Sequence, residues 1–257
     1  MLASAASEIA ASYGHQPIEV ECAYELLERT PLLDFDHPSI VALIAQRGWR
    51  NLAQEDRVRA IYEFVRDDIL FGYNTDDDIP ASAVLADGYG QCNTKATLFM
   101  ALLRAVDIPC RFHGFTIHKQ LQKGAVTGLF YLLAPANILH SWVEVQLDGR
   151  WVNLEGLILD TKYLRQLQVR YPDCSGSFCG YGVSTDDFRN PKTAWTGRDT
   201  YIQDKGINHD FGLFDTPDEF YAKVGTNIRG WKRWFYIHYI RHVMNRNVAR
   251  IRNAKDR

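Results

Sequence analysis

Of the five cysteines in this chain, at positions 22, 92, 110, 174 and 179, one stands where a thiol could be put to work. Cys92 follows "GYGQ", Gly88 to Gln91, and opens "CNTKATLFMALLRA", a run with the apolar spacing of a helix. Thiol catalysis needs the thiolate, and a free cysteine ionises only near ~8.5. A helix N-terminus favours the anion, because its first N–H groups are unpaired and the macrodipole is positive there. The Cys92 N–H could also serve an oxyanion, where one donor is commonly worth ~3–4 kcal/mol of barrier. The two glycines would let backbone approach a substrate closely. Against this stands a simpler reading, a packed helix residue, since free cysteine is among the most buried residue types.

A nucleophilic thiol needs an imidazole to take its proton and return it to a leaving group. Eight histidines are present, and His140 is the best placed, opening the strand-like "HSWVEVQ". A third group must fix the tautomer of that imidazole. Asp148-Gly149 is a hairpin signal between two alternating runs, "HSWVEVQL" and "RWVNLEG". Strands paired about that turn bring positions 140 and 155 to the same end of the hairpin, so Glu155 can reach His140. Asp160, just beyond, is the alternative acid.

Those three residues require a scaffold. The first third reads helical, with short helices over Ser7–Tyr13 and Pro17–Arg29, and "QEDRVRAIYEFVRDDI" repeats Val58, Ile61, Tyr62 and Val65 at helical spacing. "NTDDDIPASA" breaks the chain. A helix from about Cys92 to Ala105 follows, with an inner stripe of Leu98, Ala101, Leu102 and Ala105, and Pro109 closes its exit. "CRFHGFTIH" then reads as a strand. Beyond Asp160 regularity fades, and "YPDCSGSFCGYGVSTDDFRNPKTAWTGRDT" has the glycine and aromatic content of a lid or binding loop. The order is helices, then an antiparallel sheet, then an extension, which is α+β.

"GYGQCNTKATLFMALLRAVDIPCRF" followed by "HSWVEVQLDGRWVNLEG" resembles the core of the transglutaminase-like superfamily over roughly Ile61 to Asp160. The resemblance implies a papain-like cysteine acyltransferase or peptidase fold, with N-terminal helices packed on an antiparallel sheet. It implies a Cys-His-Asp site that forms a thioester with a carboxamide or peptide acyl group and passes it to an amine or to water. Cys92 matches the nucleophile and His140 the base. Glu155 falls where the family usually has aspartate, so the acid here is one methylene longer. Gln91 and Tyr73 are candidates to assist the oxyanion. Trp142, His113 and Tyr181 are candidates to touch substrate. Trp142 and Trp151 also read as core and hairpin packing, His113 and His118 as solvent-facing, and Cys110 as buried and inert.

Net charge is only −2, which argues against a nucleic-acid footprint, and no apolar run is long enough to read as membrane-spanning. The N-terminus lacks the features of a signal peptide, and an odd number of scattered cysteines suggests a reducing, cytoplasmic setting. Cys174 and Cys179 lack the further ligands of a zinc site, leaving a disulfide or a plain binding loop. No cofactor is implied. The chain reads as one domain: a helical part to residue 60, a catalytic core over 61–160, an irregular extension or lid over 161–228, and a basic amphipathic helix over 229–257. In that helix Trp231, Trp234, Phe235, Tyr239 and Val243 form a stripe expected to dock on its own domain, with a membrane or protein contact as the other reading. The expected function is a cysteine-dependent amide or peptide hydrolase or acyltransferase on a peptide, protein or small-molecule amide. The rival readings are an inactive binding module and a biosynthetic acyl transfer to a small molecule.

Overall fold

The computed structural model describes residues 26–126, 128–228 and 230–254. Two helices lead, α1 (Pro38–Arg47) and α2 (Gln54–Asp67). In α2 the expected positions Val58, Ile61, Tyr62 and Val65 are all buried, and Glu55 and Asp56 occupy the first turn, where the helix dipole favours acids. The helix expected over Ser7–Tyr13 lies outside the described residues. So does most of the one expected over Pro17–Arg29, of which residues 26–29 form a turn and loop. A short strand β1 (Leu70–Phe71), helix α3 (Ala81–Asp87) and strand β2 (Tyr89–Gly90) lead into α4 (Cys92–Arg104), with β1 and β2 paired in parallel.

The main sheet has four antiparallel strands in the order β5-β4-β3-β8. They are β3 (Cys110–His118), β4 (Asn137–Leu147), β5 (Arg150–Leu154) and β8 (Ile207–Phe214). Leu147 faces Arg150 across a two-residue turn in which Asp148 and Gly149 both have positive φ, 48° and 74°. That conformation suits the twist of a tight hairpin and explains the Asp-Gly pair. Helix α5 (Gly128–Leu133) bridges β3 and β4.

Regularity does not fade beyond Asp160, as the sequence suggested. The chain continues into α6 (Thr161–Arg170), the small hairpin β6 (Phe178–Gly180) and β7 (Val183–Thr185), then β8 and α7 (Pro217–Val224). β8 extends the main sheet beside β3. Its alternation is hidden because its register against β3 shifts twice, and Gly212 takes φ 83°. The longest irregular stretch runs over residues 171–203, interrupted by the β6–β7 hairpin.

α4 was expected to bury one stripe; instead every residue from Cys92 to Arg104 is buried. It packs against α2 and α3 as well as β4, so its polar residues must find partners inside the protein. Thr97 Oγ1 donates to Asn93 O (3.1 Å), and Lys95 Nζ donates to the carbonyls of Arg66 (3.1 Å) and Ile158 (3.0 Å). Burial pushes Lys95 down to about 7. One apolar cluster joins α4 to α1, α2, α3 and the inner sheet residues Phe112, Val143, Val145 and Val152. A second holds Cys92 with Phe71, Tyr73, Val126, Tyr163 and Phe188.

The chain then runs through α8 (Trp231–Phe235), a π-helical turn (Tyr236–Ile240) and α9 (Arg241–Arg252). Docking on the second cluster is by Tyr236, Met244, Val248 and Ile251. The expected docking stripe is reversed: Trp231, Trp234, Phe235, Tyr239 and Val243 are all exposed. The stripe keeps its helical spacing but faces outward, because Tyr236, Met244, Val248 and Ile251 form a second apolar face and that one docks.

Candidate active site

Cys92 is the first residue of α4, as the sequence predicts. The glycines before it serve the turn rather than a substrate. Gly88 ends α3 with φ 68°, a conformation that side chains resist. At Gly90 a Cβ would lie 2.7 Å from Thr94 Oγ1 and 2.9 Å from Lys95 Cγ, so only glycine lets β2 pass beneath the first turn of α4. Thr94 Oγ1 accepts from the Gln91 N–H (3.0 Å) and closes that turn. The Cys92 thiol is nearly covered, at 7% exposure, and its Sγ lies 4.0 Å from the Leu139 carbonyl.

The next residue on β4 is His140, fully buried. Its Nε2–H donates to Glu155 Oε1 at 2.7 Å. Its Nδ1 is buried without a hydrogen-bond partner. Burial opposes a charge on this ring, but the Cys92 sulfur and the Glu155 carboxylate outweigh it, and His140 is pushed up to about 10. Glu155 follows β5 by one residue and is also fully buried. Its Oε2 accepts three backbone N–H groups, from Ile202 (2.7 Å), Gln203 (2.9 Å) and Asp204 (3.2 Å). One carboxylate therefore spans the imidazole on one side and a turn of the extension on the other. The additional methylene of glutamate provides that reach.

A second layer, which nothing in the sequence singled out, fixes the distance between helix and strand. Asp77 is buried, and its Oδ1 accepts from Gln91 Nε2 (3.1 Å) and Asn93 Nδ2 (3.2 Å). Its Oδ2 accepts from Asn227 N (3.1 Å) and Nδ2 (2.8 Å). Asn93 Nδ2 also donates to Leu139 O (3.1 Å), and the Leu139 N–H donates to Asn227 Oδ1 (2.7 Å). The ring Asp77–Asn93–Leu139–Asn227 thus ties the residue after Cys92 to the residue before His140. Burial pushes the Asp77 carboxyl up, against these donors. In the sequence Asp77 is one of three consecutive acids in a turn; the signal was diluted by its neighbours.

The other candidates are distributed differently. Gln91 commits its carboxamide to Asp77 and to Asn74 N (3.0 Å). Tyr73 shares the apolar cluster of Cys92, and its hydroxyl donates to Gln122 Oε1 at 2.5 Å. Asp160 does not meet His140: it caps α6 through Tyr163 N and forms a buried ion pair with Arg252 (Nη2–Oδ2 2.8 Å). Trp142 lies on the same sheet face as His140, its ring 4.1 Å from that of Phe115 and 5.7 Å from that of Tyr201. His113 is not solvent-facing but half-buried, stacked on Phe115 and held between Glu144 (2.8 Å) and Asp210 (3.0 Å). His118 is exposed and accepts from Gln120 N. Tyr181 stands apart, on the β6–β7 turn with φ 56°, where it lines a cleft of about 520 Å³ with Val126, Tyr131, Tyr171 and Phe178. Val126 belongs to the Cys92 cluster, so the cleft adjoins the thiol's surroundings. Trp151 carries Arg111 over its ring, and Cys110 is fully buried. Cys174 and Cys179 are both free thiols. Among the described residues no group of three or more His, Cys, Asp or Glu side chains is placed to hold a metal ion, and no helix is long and apolar enough to cross a membrane.

No curated protein matches the sequence. A solved structure from Cytophaga hutchinsonii, described as a candidate cysteine protease, is 13% identical with a TM-score of 0.43, over 77% of this chain and 48% of that one. The chain therefore spans about half the length of that protein. The transglutaminase-like superfamily model matches residues 44–156, which run from within α1 through α4 and strands β3, β4 and β5 to the residue after Glu155. This segment, with Cys92, His140 and Glu155 all inside it, is similar to the transglutaminase-like superfamily.

Proposed function

We propose that this protein is a cysteine-dependent amide or peptide hydrolase or acyltransferase working through a thioester. Cys92 is the nucleophile, His140 the general base and acid, and Glu155 the acid that orients it. The observation that carries this reading is the unpaired, buried Nδ1 of His140, on a ring whose other nitrogen is fixed by Glu155 at 2.7 Å. Such a ring has one face committed and one free to exchange a proton with a neighbouring sulfur.

In the first half-reaction the Cys92 thiol gives its proton to His140, its sulfur forms a bond to the acyl carbon, and the carbonyl electrons move onto oxygen. The N–H groups of the first turn of α4 have no intrahelical acceptor and favour that oxyanion. Collapse breaks the C–N bond, and the imidazolium of His140 gives its proton to the departing amine. In the second half-reaction water or an acceptor amine gives a proton to His140 and attacks the thioester; the sulfur leaves and the cycle closes. Hydrolysis and transfer differ only in which molecule arrives second. The aromatic cleft beside Tyr181 and the Trp142 face are the surfaces proposed for substrate, with His113 buttressing Trp142 rather than touching substrate. The fit of Glu155 between His140 and the 202–204 backbone supports a working acid, and so weighs against an inactive binding module.

The test is acylation by p-nitrophenyl acetate at neutral pH, followed by peptide mass mapping. Acetyl is expected on Cys92, absent in Cys92→Ala and slow in His140→Ala. Acetylation of the other thiols alone, or equal nitrophenol release by Cys92→Ala, would overturn the proposal.

A further inference from the structure

We infer that the C-terminal helical segment, residues 230–254, binds the surface of an anionic lipid bilayer. The observation is a helix with two apolar faces, only one of which is covered. Tyr236, Met244, Val248 and Ile251 pack into the protein, while Trp231 (72% exposed), Trp234 (52%), Phe235 (47%) and Tyr239 (57%) stand in solvent. The exposed rings touch one another: Trp231 and Trp234 lie 6.0 and 5.2 Å from Phe235, and Tyr239 lies 5.8 Å from Trp234. They form one contiguous patch rather than scattered single side chains, and such patches mark contact sites.

Charge decides what the patch fits. From 230 to 254 the chain has six Lys or Arg and no Asp or Glu. Arg252 is spent on Asp160 inside the protein, and Arg233 is paired with Asp76. Lys232, Arg246 and Arg250 are exposed, with His238 and His242 beside them. Asp76 and Asp78 are the acids near this face, and both act on Arg233 at its start. A second copy of this chain would bring like charges face to face, which disfavours a dimer through the patch. A negative surface with an apolar interior satisfies both halves. Tryptophan and tyrosine rings settle at the headgroup level, and cations are drawn to anionic lipid. Helix α8 and its π-helical turn would lie in the plane of the interface.

The experiment is vesicle sedimentation of the full chain with phosphatidylcholine alone and with roughly 30 mol% phosphatidylserine. At least about tenfold more protein is expected on the anionic vesicles, falling as salt is raised. Trp231→Ser with Trp234→Ser should lose most of that binding, and Lys232→Glu with Arg250→Glu should lose it too, with melting temperatures unchanged. Equal partitioning to both vesicle types, or undiminished binding by both double variants, would overturn the inference. So would a two-chain mass by sedimentation equilibrium without lipid that the tryptophan variant abolishes, since the patch would then belong to a dimer.

Discussion

Glu155 and Asp160 lie five residues apart, are both buried, and both qualified from the sequence as the acid behind His140. The structure gives them different partners. Glu155 holds an imidazole with one oxygen and three backbone N–H groups with the other. Asp160 holds a guanidinium with both oxygens, together with the N–H groups of Phe71 and Tyr163. An imidazole can exchange a proton at working pH and a guanidinium cannot. What a buried carboxylate does is therefore set by the group opposite it, and here one acid faces an imidazole while its neighbour holds a guanidinium. Lys95 stands between the two regions, bonding the carbonyl of Ile158.

Two variants separate the two acids, and a third probes the lysine between them. The largest effect is expected from Glu155→Gln, which keeps the shape but removes the charge behind the imidazole. Acylation by the activated ester should fall by about 10³–10⁴-fold. The alkaline limb of its rate should also move: His140 stays protonated up to about 10 in the parent protein, and removing a charge that raises it shifts the limb to lower pH. An unchanged pH profile would show that Glu155 is only structural. Asp160→Asn should do the converse. It leaves Arg252 buried without a counter-charge, at a cost of about 3–5 kcal/mol in denaturant unfolding, while the folded fraction retains its acylation rate. A variant that lost rate and kept stability would erase the distinction between the two acids.

The smallest effect belongs to Lys95→Met. In the folded protein Lys95 is pushed from 10.5 down to about 7, so between those values the unfolded chain holds more protons. Lys95 therefore makes stability rise with pH across that window, by at most about 1.4 kcal/mol per unit, and its cost is full below about 7. The Lys95→Met substitution should remove that rise while leaving the acylation rate intact. Unfolding titrations at neutral and alkaline pH would decide it, and a slope equal to that of the parent would show that Lys95 is solvated.

The parts of the fold that carry local signals were readable. The period of α2, the Asp148-Gly149 turn and the start of α4 at Cys92 are set by neighbours in sequence, and the hairpin arithmetic was enough to bring His140 and Glu155 together. The hidden parts depend on long-range partners. β8 is an edge strand with a broken register, so its alternation is weak. Asp77 looks like any turn acid until Asn227, 150 residues later, bonds to it. The three N–H groups on Glu155 come from a turn whose sequence carries no mark of that role. The last helices carry two apolar faces, and which of them docks depends on contacts far away in sequence.

The Asp77 ring and the Arg252 pair also set the order in which this region is completed during synthesis. Cys92 leaves the ribosome well before Asn227 and Arg252, which bond to Asp77 and to the Phe71 carbonyl (2.6 Å). At ~5–20 residues per second, completion of those bonds trails Cys92 by roughly 8–32 s. Until then the strand of His140 meets the helix of Cys92 through the Asn93 bonds to Leu139 and Ser141, without the Asn227 side of the ring. The bonds that close this region thus come from residues made long after Cys92, and it is completed late in folding.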